Sequence, residues 1–368
     1  IERFAPTVAD LVTRGARVVV MTHLGRPGGQ RNPVYSTRTL ATALSTCLDR
    51  PVRFAPDCVG GAAEEVTGNL RPGEVALLEN LRFHAREELD DHNFALKLSV
   101  HGDLYVNDAF SRAHRAHAST HAIARIMPAY AGPSLIAEVA VLEAALGDPR
   151  RPVAALVGGA KVSSKIDVLT NLVGKTDHLI IGGGMANTFL AALGKPMGRS
   201  LHEPDALEVA RAIMRKAAAS GCAIVLPDDL IVAPSLSEGV ESRVVAADAI
   251  PDDCMALDAG RETVARIASL LETCRTLLWN GPLGAFEMAP FGEATFAIAR
   301  AAAALTAEGQ LTSIAGGGDT VAALNAAGVA SGFTYVSTAG GAFLEWLEGR
   351  VLPGIDILTT KVRQPEEA

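Results

Sequence analysis

Three histidines and neighbouring arginines crowd the segment LYVNDAFSRAHRAHASTHAIA, residues 104–124. His114, His117 and His121 have the spacing of residues on one helix face, an arrangement that can bind zinc. Arg115 lies among them, however, and its positive charge would repel a cation. The same residues suit a small polyanion, because arginine presents paired donors to phosphate or carboxylate, and they also suit a solvated basic surface. The segment alone leaves these three interpretations open.

Two further pairs of histidine and arginine follow apolar runs elsewhere in the first half of the chain. HLGR contains His23 and Arg26, and LRFH contains Arg82 and His84. If these runs are parallel strands, their carboxyl ends meet at one edge of a sheet, where such folds bind ligands. The repetition therefore favours a binding site for an anionic substrate over a metal site or a solvated surface.

The second half of the chain carries glycine-rich segments instead. GGAKVSSK, residues 158–165, follows an apolar run, and its glycines allow backbone N–H groups to face a phosphate at a helix N-terminus. Lys161 and Lys165 are four residues apart, which predicts that both lie on the same side of a helix. GGGDT, residues 316–320, adds Asp319, a carboxylate of the kind that holds Mg²⁺ on nucleotide phosphates.

NGPLGAFE is a third polar loop after an apolar run, and its Asn280 and Glu287 are candidates for contacts with the phosphate and ribose of a nucleotide. Each of these glycine-rich loops, taken alone, is also compatible with an ordinary tight turn or helix start. The sequence contains neither the G-x-x-x-x-G-K-[ST] motif nor G-x-G-x-x-G, so the general NTPase and dinucleotide signatures are both absent.

Short apolar, β-branched runs that could position these loops alternate with helical patterns along the whole chain, from RVVVMTH at 17–23 to FTYVSTAGG at 333–341. Such runs are typical of strands buried on both faces, so the predicted fold class is α/β with mostly parallel sheets. GDPRRP at 147–152 interrupts a helical pattern and separates the basic loops from the glycine-rich ones. Two domains of different chemistry imply two different ligands.

Composition excludes several classes of protein. A formal net charge of −8 over 368 residues argues against binding to nucleic acid. No run of about 18 apolar residues occurs, which argues against a membrane span. The five cysteines form no C-x-x-C pair, which predicts free thiols in a reducing compartment such as the cytoplasm.

Together these motifs resemble those of the phosphoglycerate kinase family, and they occur in the family's order nearly from end to end. The resemblance implies two Rossmann-like domains joined by a hinge. Residues 1–147 would bind 3-phosphoglycerate or 1,3-bisphosphoglycerate, 152–344 would bind MgADP or MgATP, and 345–368 would return to the N-terminal domain. The matching stretches are THLGRP, APDCVG, PGEVALLENLRFH, VNDAFSRAHRAHAST, GGAKVSSKI, GGGMANTF, LPDD, WNGPLGAFE, GGGDT, STAGGAFLEWLEG and LPG.

The resemblance also implies the activity and the residues that carry it. The activity is reversible phosphoryl transfer between 1,3-bisphosphoglycerate and ADP by a cytoplasmic monomer, with Mg²⁺ held by Asp319 and the nucleotide. The implied substrate-binding residues are His23, Arg26, Arg82 and Arg115. The implied nucleotide-binding residues are Lys165, Gly183, Gly184, Ala256, Asn280, Glu287, Gly317, Gly318, Asp319 and Thr320. The residues implied to act on the transferring group are Lys161, Lys165, Gly318 and Gly341.

The chain departs from the family pattern at three places. The family begins with a strand and loop that carry an Asp, an Asn and an arginine for the substrate, and we expect that segment to precede Ile1 in the natural protein. The helical pattern that starts at Ile1 has no capping residue before it. Ala256 and Ala339 stand where the family usually has glycine, which would matter if either position requires positive φ or a close approach of the backbone to the nucleotide.

Two other functions are compatible with parts of this pattern. A non-catalytic module that binds nucleotide and phosphate would follow from the absence of the N-terminal arginine. A nicotinamide-dependent dehydrogenase would fit the fold class, but the missing dinucleotide signature argues against it.

Overall fold

The structure is a computed structural model, and it describes residues 1–337 and 339–362. The chain forms two compact units. Unit 1 consists of residues 1–139 and the described residues from 351 onward, and unit 2 consists of residues 140–350. The last part of the predicted C-terminal segment, residues 363–368, lies outside the described residues.

Unit 1 is an α/β unit whose strands all pair in parallel. β1, β3 and β2 form one sheet with β3 in the centre, and β4 and β5 form a second sheet. The helix α6 (Pro133–Leu146) contains the boundary between the units. The elements of unit 1 are α1 (Ala5–Thr13), β1 (Val18–Val20), α2 (Arg38–Leu48), β2 (Val52–Ala55), α3 (Gly61–Gly68), β3 (Val75–Leu78), α4 (His92–Ser99), β4 (Tyr105–Asn107), α5 (Ile123–Ile126), β5 (Ala129–Ala131) and α14 (Pro353–Val362).

The core of unit 1 packs α1 and α2 on the sheet that contains β1 and β3. Val75, Ala76, Leu77 and Leu78 are all buried, which agrees with a central strand covered on both faces. A cavity of about 1120 Å³ is lined by residues of α1, β1 and β4. The helix α1 begins at Ala5 rather than at Ile1, and no side-chain hydrogen bond caps it at Phe4. The additional strand expected for this domain stays a prediction.

Unit 2 is built around a parallel sheet of six strands in the order β14-β13-β12-β6-β7-β8. The middle strands β6 and β12 are completely buried. The elements of unit 2 are β6 (Val153–Val157), α7 (Ile166–Leu172), β7 (His178–Ile181), α8 (Gly183–Ala192), α9 (Leu207–Ser220), β8 (Ala223–Val225), β9 (Asp229–Ala233), β10 (Arg243–Ala246), β11 (Met255–Ala259), α10 (Arg261–Thr273), β12 (Thr276–Asn280), α11 (Glu293–Ala307), β13 (Thr312–Gly316), α12 (Gly318–Ala326), β14 (Tyr335–Ser337) and α13 (Gly340–Leu347).

Unit 2 also contains an antiparallel sheet in the order β10-β9-β11, which the sequence analysis did not predict. Its outer strand β10 is largely exposed, so it lacks the continuous apolar pattern that identified the other strands. The prediction of an α/β fold with mostly parallel sheets is nevertheless confirmed, and each unit is Rossmann-like. None of the helices described here is long and apolar enough to cross a membrane.

Candidate active site

The ends of β1 and β3 in unit 1 are joined by a buried arginine and a buried asparagine. Arg82 is 5% exposed; its Nη1 donates to the Gly25 carbonyl oxygen at 2.9 Å, and its Nη2 pairs with Glu88 at 3.1 Å. Asn80 Nδ2 donates to the carbonyl oxygens of Leu24 at 2.7 Å and Tyr35 at 2.8 Å. The two predicted motifs HLGR and LRFH are therefore in direct contact.

His23 lies in a strongly electropositive environment. Burial, followed by the charges of Arg112, Arg82 and His117, lowers the pKa of His23 to about 3. The His23 ring is therefore neutral at physiological pH. Two arginine side chains and His117, which can become protonated, act on it. A bound anion would relieve the repulsion among these groups, because opposite charge nearby favours their charged forms.

Arg112 is the residue of this cluster that the sequence analysis did not single out. It lies in a short 3₁₀ turn, Phe110–Arg112, after β4. Burial, and then the charges of Arg82 and Arg26, lower the pKa of its guanidinium. Three arginines therefore converge, and the doublet of arginines in FSRAHR was the available signal. Arg115 is exposed and its N–H donates to the Arg112 carbonyl at 3.1 Å, so its substrate contact stays a prediction.

The zinc interpretation of the three histidines is not supported by the structure. The turn Ala118–Ala122 is π-helical and begins after His117, so the expected α-helical face is not formed. His117 Nδ1 lies 3.8 Å from Glu87, and His121 Nδ1 lies 2.6 Å from Asp90. Among the described residues, the only cluster of three or more His, Cys, Asp or Glu side chains that could hold a metal ion is elsewhere, at Asp57, Cys58 and His84.

Lys165 of unit 2 is turned towards the ends of β6 and β12. Its Nζ donates to the Gly158 carbonyl at 2.7 Å, to the Asn280 carbonyl at 3.1 Å and to Asn280 Oδ1 at 2.6 Å. Burial lowers the pKa of Lys165 to about 8, and the charge of Asp319 opposes this shift. The ammonium group is thus held among carbonyl oxygens with a nearby carboxylate.

The prediction that Lys161 and Lys165 share one helix face is wrong. The helix α7 begins at Ile166, so residues 158–165 form a loop and the helical i, i+4 geometry does not apply to them. Lys161 is exposed, whereas Lys165 points into the unit. The two lysines therefore belong to one loop but point in different directions, and their contacts with a ligand stay a prediction.

The glycines of this site permit close approach of backbone segments. A Cβ at Gly158 would collide with the carbonyl oxygen of Pro282. Gly317 has φ of +100°, and a Cβ there would lie 2.7 Å from Asn280 Nδ2. Asn280 Nδ2 also donates to the Gly316 carbonyl at 2.8 Å, which ties the end of β12 to that of β13.

The N-terminus of α12 offers backbone amides to an anion. Gly317 precedes the helix, Gly318 and Asp319 are exposed in its first turn, and Thr320 is buried. The Thr320 Oγ1 accepts a hydrogen bond from the Gly281 N–H at 2.7 Å, so this side chain fixes the loop. Gly318 and the Asp319 carboxylate stay exposed at the helix start, an arrangement that suits an anion.

Gly183 and Gly184 pack the N-terminus of α8 against the lysine loop. Gly183 has φ of +66°, and a Cβ there would lie 2.7 Å from the Gly159 oxygen. A Cβ at Gly184 would lie 2.6 Å from the Ala160 oxygen. The Met185 N–H donates to the Gly159 carbonyl at 3.0 Å. Their observed contacts are with the loop, and direct nucleotide contacts stay a prediction.

The other predicted nucleotide-site residues lie on loops and strand ends of the same unit. Glu287 is exposed, on a loop whose Ala285 N–H donates to the Leu257 carbonyl at 2.9 Å. Ala256 lies on β11 beside a register shift, and its N–H donates to Ser200 Oγ at 2.8 Å. Gly341 belongs to the first turn of α13.

The two alanines that replace family glycines cause no φ strain. In the described part of the chain, Asp49 and Asp90 are the only residues other than glycine with positive φ, so Ala256 has negative φ. Ala339 has φ of −98°. The left-handed conformation that would require glycine is therefore used at neither position.

Clustered arginines in one α/β unit and glycine-lined helix starts in the other are typical of a phosphotransferase that binds two phosphorylated ligands. The model of the family described as phosphoglycerate kinase matches residues 1–350. The phosphoglycerate kinase of Sinorhizobium fredii is 56% identical over 358 residues, which cover 97% of this chain and 90% of the relative. That of Methylobacterium radiotolerans is 55% identical over 361 residues, covering 98% and 90%.

Solved structures agree with these relatives. Phosphoglycerate kinase from Coxiella burnetii superposes with a TM-score of 0.90 at 41% identity, covering 98% of this chain and 90% of that one. The enzyme from Pyrococcus horikoshii gives a TM-score of 0.82 at 31% identity, covering 98% and 91%. The chain belongs to the phosphoglycerate kinase family. It is an enzyme of reversible phosphoryl transfer between 1,3-bisphosphoglycerate and ADP, and the non-catalytic alternative is not favoured.

Proposed function

We propose that the two units divide this reaction between them, with the phosphoglycerate on unit 1 and the adenine nucleotide on unit 2. The observation that carries the proposal is the convergence of Arg82 and Arg112 on His23, with Arg26 acting in turn on Arg112. Such a concentration of positive charge in a chain of net charge −8 favours the binding of an anion. A phosphate with a neighbouring carboxylate or acyl phosphate supplies it.

In unit 1, Arg82 and Arg115 anchor the phosphate of 3-phosphoglycerate through charge-assisted hydrogen bonds. Arg26 and the neutral His23 complete the binding surface. Arg82 is preorganised, because its contacts with Gly25 and Glu88 fix the guanidinium before the substrate arrives. The other end of the substrate then stays available for phosphoryl transfer.

In unit 2, the amides at the start of α12 and α13 receive the nucleotide phosphates, at Gly318 and Gly341 respectively. Lys165 and Lys161 neutralise charge on the transferring phosphoryl group, which is the main task of a catalyst for this reaction. The remaining nucleotide contacts come from Gly183, Gly184, Ala256, Asn280, Glu287, Gly317 and Thr320.

Asp319 is the residue that would hold Mg²⁺ with the nucleotide. Its carboxylate is exposed beside the amides of α12, and it acts electrostatically on Lys165. These properties fit the preference of Mg²⁺ for one carboxylate together with substrate phosphates. When bound, the ion neutralises charge on the phosphate oxygens. We further propose that the protein acts as a cytoplasmic monomer, and its free cysteines, of which four are buried, support a reducing compartment.

The test measures binding of each substrate separately, alongside turnover in a coupled assay that follows 3-phosphoglycerate-dependent ATP consumption with Mg²⁺. Arg82→Met is expected to weaken 3-phosphoglycerate binding about 100-fold, because a buried charged partner is lost. ADP binding, measured by calorimetry, should stay within about twofold. Arg86→Met is the matched control, since Arg86 lies near Arg82 in sequence and is 59% exposed. Equal loss of both ligands in the Arg82 variant would contradict the assignment of the units.

A further inference from the structure

A carboxylate outside the predicted site contacts the middle of the loop 158–165. Glu203 Oε2 accepts from the Ser163 N–H at 3.0 Å, and Oε1 accepts from the Ser163 hydroxyl at 2.5 Å. Burial raises the pKa of Glu203, but the hydrogen bonds from Ser163 and the Val162 backbone outweigh it and lower the pKa overall. The carboxylate is therefore ionised and bound to two consecutive residues of the loop.

Glu203 is itself fixed to the helix α8. Its N–H donates to Thr188 Oγ1 at 3.1 Å, and the Thr188 hydroxyl donates to the Gly184 carbonyl at 3.3 Å. Thr188 is completely buried, so this anchor is held in the packed interior. The same helix holds the beginning of the loop, because the Met185 N–H donates to the Gly159 carbonyl at 3.0 Å.

Lys161 lies between these two points of attachment. Gly159 is fixed on its N-terminal side, and Val162 and Ser163 are fixed by Glu203 on its C-terminal side. The charge of Lys161 also acts on the Glu203 carboxylate. A lysine side chain loses considerable rotamer entropy when it is ordered on binding. Because the backbone on both sides of Lys161 is already fixed, less conformational entropy has to be lost when this side chain contacts a ligand.

We propose that Glu203 is a positioning residue, which holds the loop so that the Lys161 ammonium reaches the transferring phosphoryl group. This inference rests on the proposed role of Lys161. If Lys161 acts on the transferring group, a misplaced loop lowers kcat. Nucleotide affinity should change little, because Lys165 and the amides of α12 are held by other contacts.

The first experiment compares Glu203→Ala and Glu203→Gln by steady-state kinetics. Glu203→Ala should lower kcat about tenfold and leave KM for ATP within about twofold. Glu203→Gln should recover part of the loss, because the amide oxygen can still accept one hydrogen bond. The matched control is Glu208→Ala, since Glu208 is a 75% exposed carboxylate paired with Arg211 and should leave kcat unchanged. A loss confined to KM would overturn the inference.

A double-mutant cycle with Lys161→Met separates positioning from a purely structural effect. In the Lys161→Met background, Glu203→Ala should reduce kcat by less than about twofold further, because the side chain it positions is gone. Full additivity would overturn the role of Glu203 and leave the proposed function intact. An unchanged kcat in Lys161→Met alone would instead contradict the proposed function.

A control variant with a smaller change and a separate binding measurement test whether the Glu203 variants have a folding defect. Ser163→Ala removes only the hydroxyl contact with Glu203, and it should lower kcat in the same direction by about threefold. Binding of 3-phosphoglycerate, which unit 1 provides, should remain unchanged in every variant. A Ser163→Ala enzyme with the kcat of the unaltered chain, together with a Glu203→Ala variant that loses 3-phosphoglycerate binding, would show a folding defect and overturn the inference.

Discussion

In the proposed assignment, the two units bind phosphate with different chemical groups. Unit 1 concentrates charge on side chains, and burial together with the charges of Arg112 and Arg82 lowers the pKa of His23 and keeps its ring neutral. Unit 2 uses few charges and relies on backbone amides at helix starts, which requires glycine where segments meet. A side-chain site should lose affinity step by step as residues are removed, whereas a backbone site should fail when its geometry is disturbed once.

The largest expected effect is therefore a single added methyl group in unit 2. Gly158→Ala places a Cβ against the Pro282 carbonyl, and the backbone must move because neither neighbour is a flexible side chain. We expect nucleotide affinity to fall by about 100-fold or more, since Gly158 also accepts the Lys165 hydrogen bond. Calorimetry with ADP and with 3-phosphoglycerate provides the comparison.

Gly174→Ala is the control for that experiment, because a Cβ at Gly174 would meet only the Asn171 oxygen at an ordinary 3.8 Å. If Gly158→Ala bound ADP as well as Gly174→Ala does, the proposed dependence of unit 2 on close backbone approach would be wrong. 3-Phosphoglycerate affinity should be unchanged in both variants.

The next effect concerns two arginines of unit 1. Arg115→Ala should weaken 3-phosphoglycerate binding about tenfold and spare ATP, because one charge-assisted contact is lost. Arg112→Ala should weaken it by a similar factor, and it should also raise the melting temperature, since Arg112 is repelled by Arg82 and Arg26 in the free protein. Fluorescence-monitored melting and calorimetry measure both quantities.

Arg86→Ala supplies the control for surface charge. An Arg112 variant with a lower melting temperature would contradict the proposed repulsion among the arginines. An Arg115 variant that loses ATP binding as much as 3-phosphoglycerate binding would contradict the assignment of different ligands to the two units.

The fold and the identity of the loops were predictable because apolar runs end in chemically distinctive residues. β1, β3, β6 and β12 all lie within predicted runs, and the predicted polar residues follow them. The same rule did not identify the antiparallel sheet of β9, β10 and β11. β10 is largely exposed and β11 begins with three half-buried residues, so these two strands carry little contrast between buried and solvent-facing positions, whereas β9 is mostly buried and follows directly on the polar end of the preceding run.

The parts of the site that were missed depend on local conformation that periodicity does not encode. Arg112 joins the cluster through a 3₁₀ turn, and Lys165 turns inward because the loop before α7 is not helical. Glu203 lies 40 residues beyond Ser163 in sequence. Contacts of that kind arise from tertiary packing and leave no spacing signal in a single sequence.

The next expected effect is a pH dependence of kcat/KM for the nucleotide, which comes from a lysine of unit 2. Lys165 has its pKa lowered to about 8 by burial, so it loses its proton as pH rises through that value. If the charged form is required, kcat/KM for the nucleotide should fall about tenfold between pH 7 and pH 9. Lys165→Arg should abolish this decrease, since guanidinium stays protonated there, even if its absolute rate is lower. A decrease that persists in Lys165→Arg would assign the titration to another group.

The smallest expected effect is on the acid stability of unit 1. Since the pKa of His23 is lowered from 6.5 to about 3, the unfolded chain takes up a proton below pH 6.5 that the folded protein refuses until about pH 3. Stability must therefore decrease as pH falls through this window. Relative to its value at pH 8, the contribution of His23 at pH 5 is a loss of about 1–2 kcal/mol. His23→Gln should remove that loss, so denaturant unfolding should become less sensitive to pH between 8 and 5 than in the unaltered chain.

Added 3-phosphoglycerate should reduce the same sensitivity, because a bound anion offsets the positive charges that oppose protonation. If His23→Gln left the pH dependence of unfolding unchanged, burial and the neighbouring charges would not lower the pKa of His23, and the contrast between a charged unit and a backbone-lined unit would be contradicted at this residue.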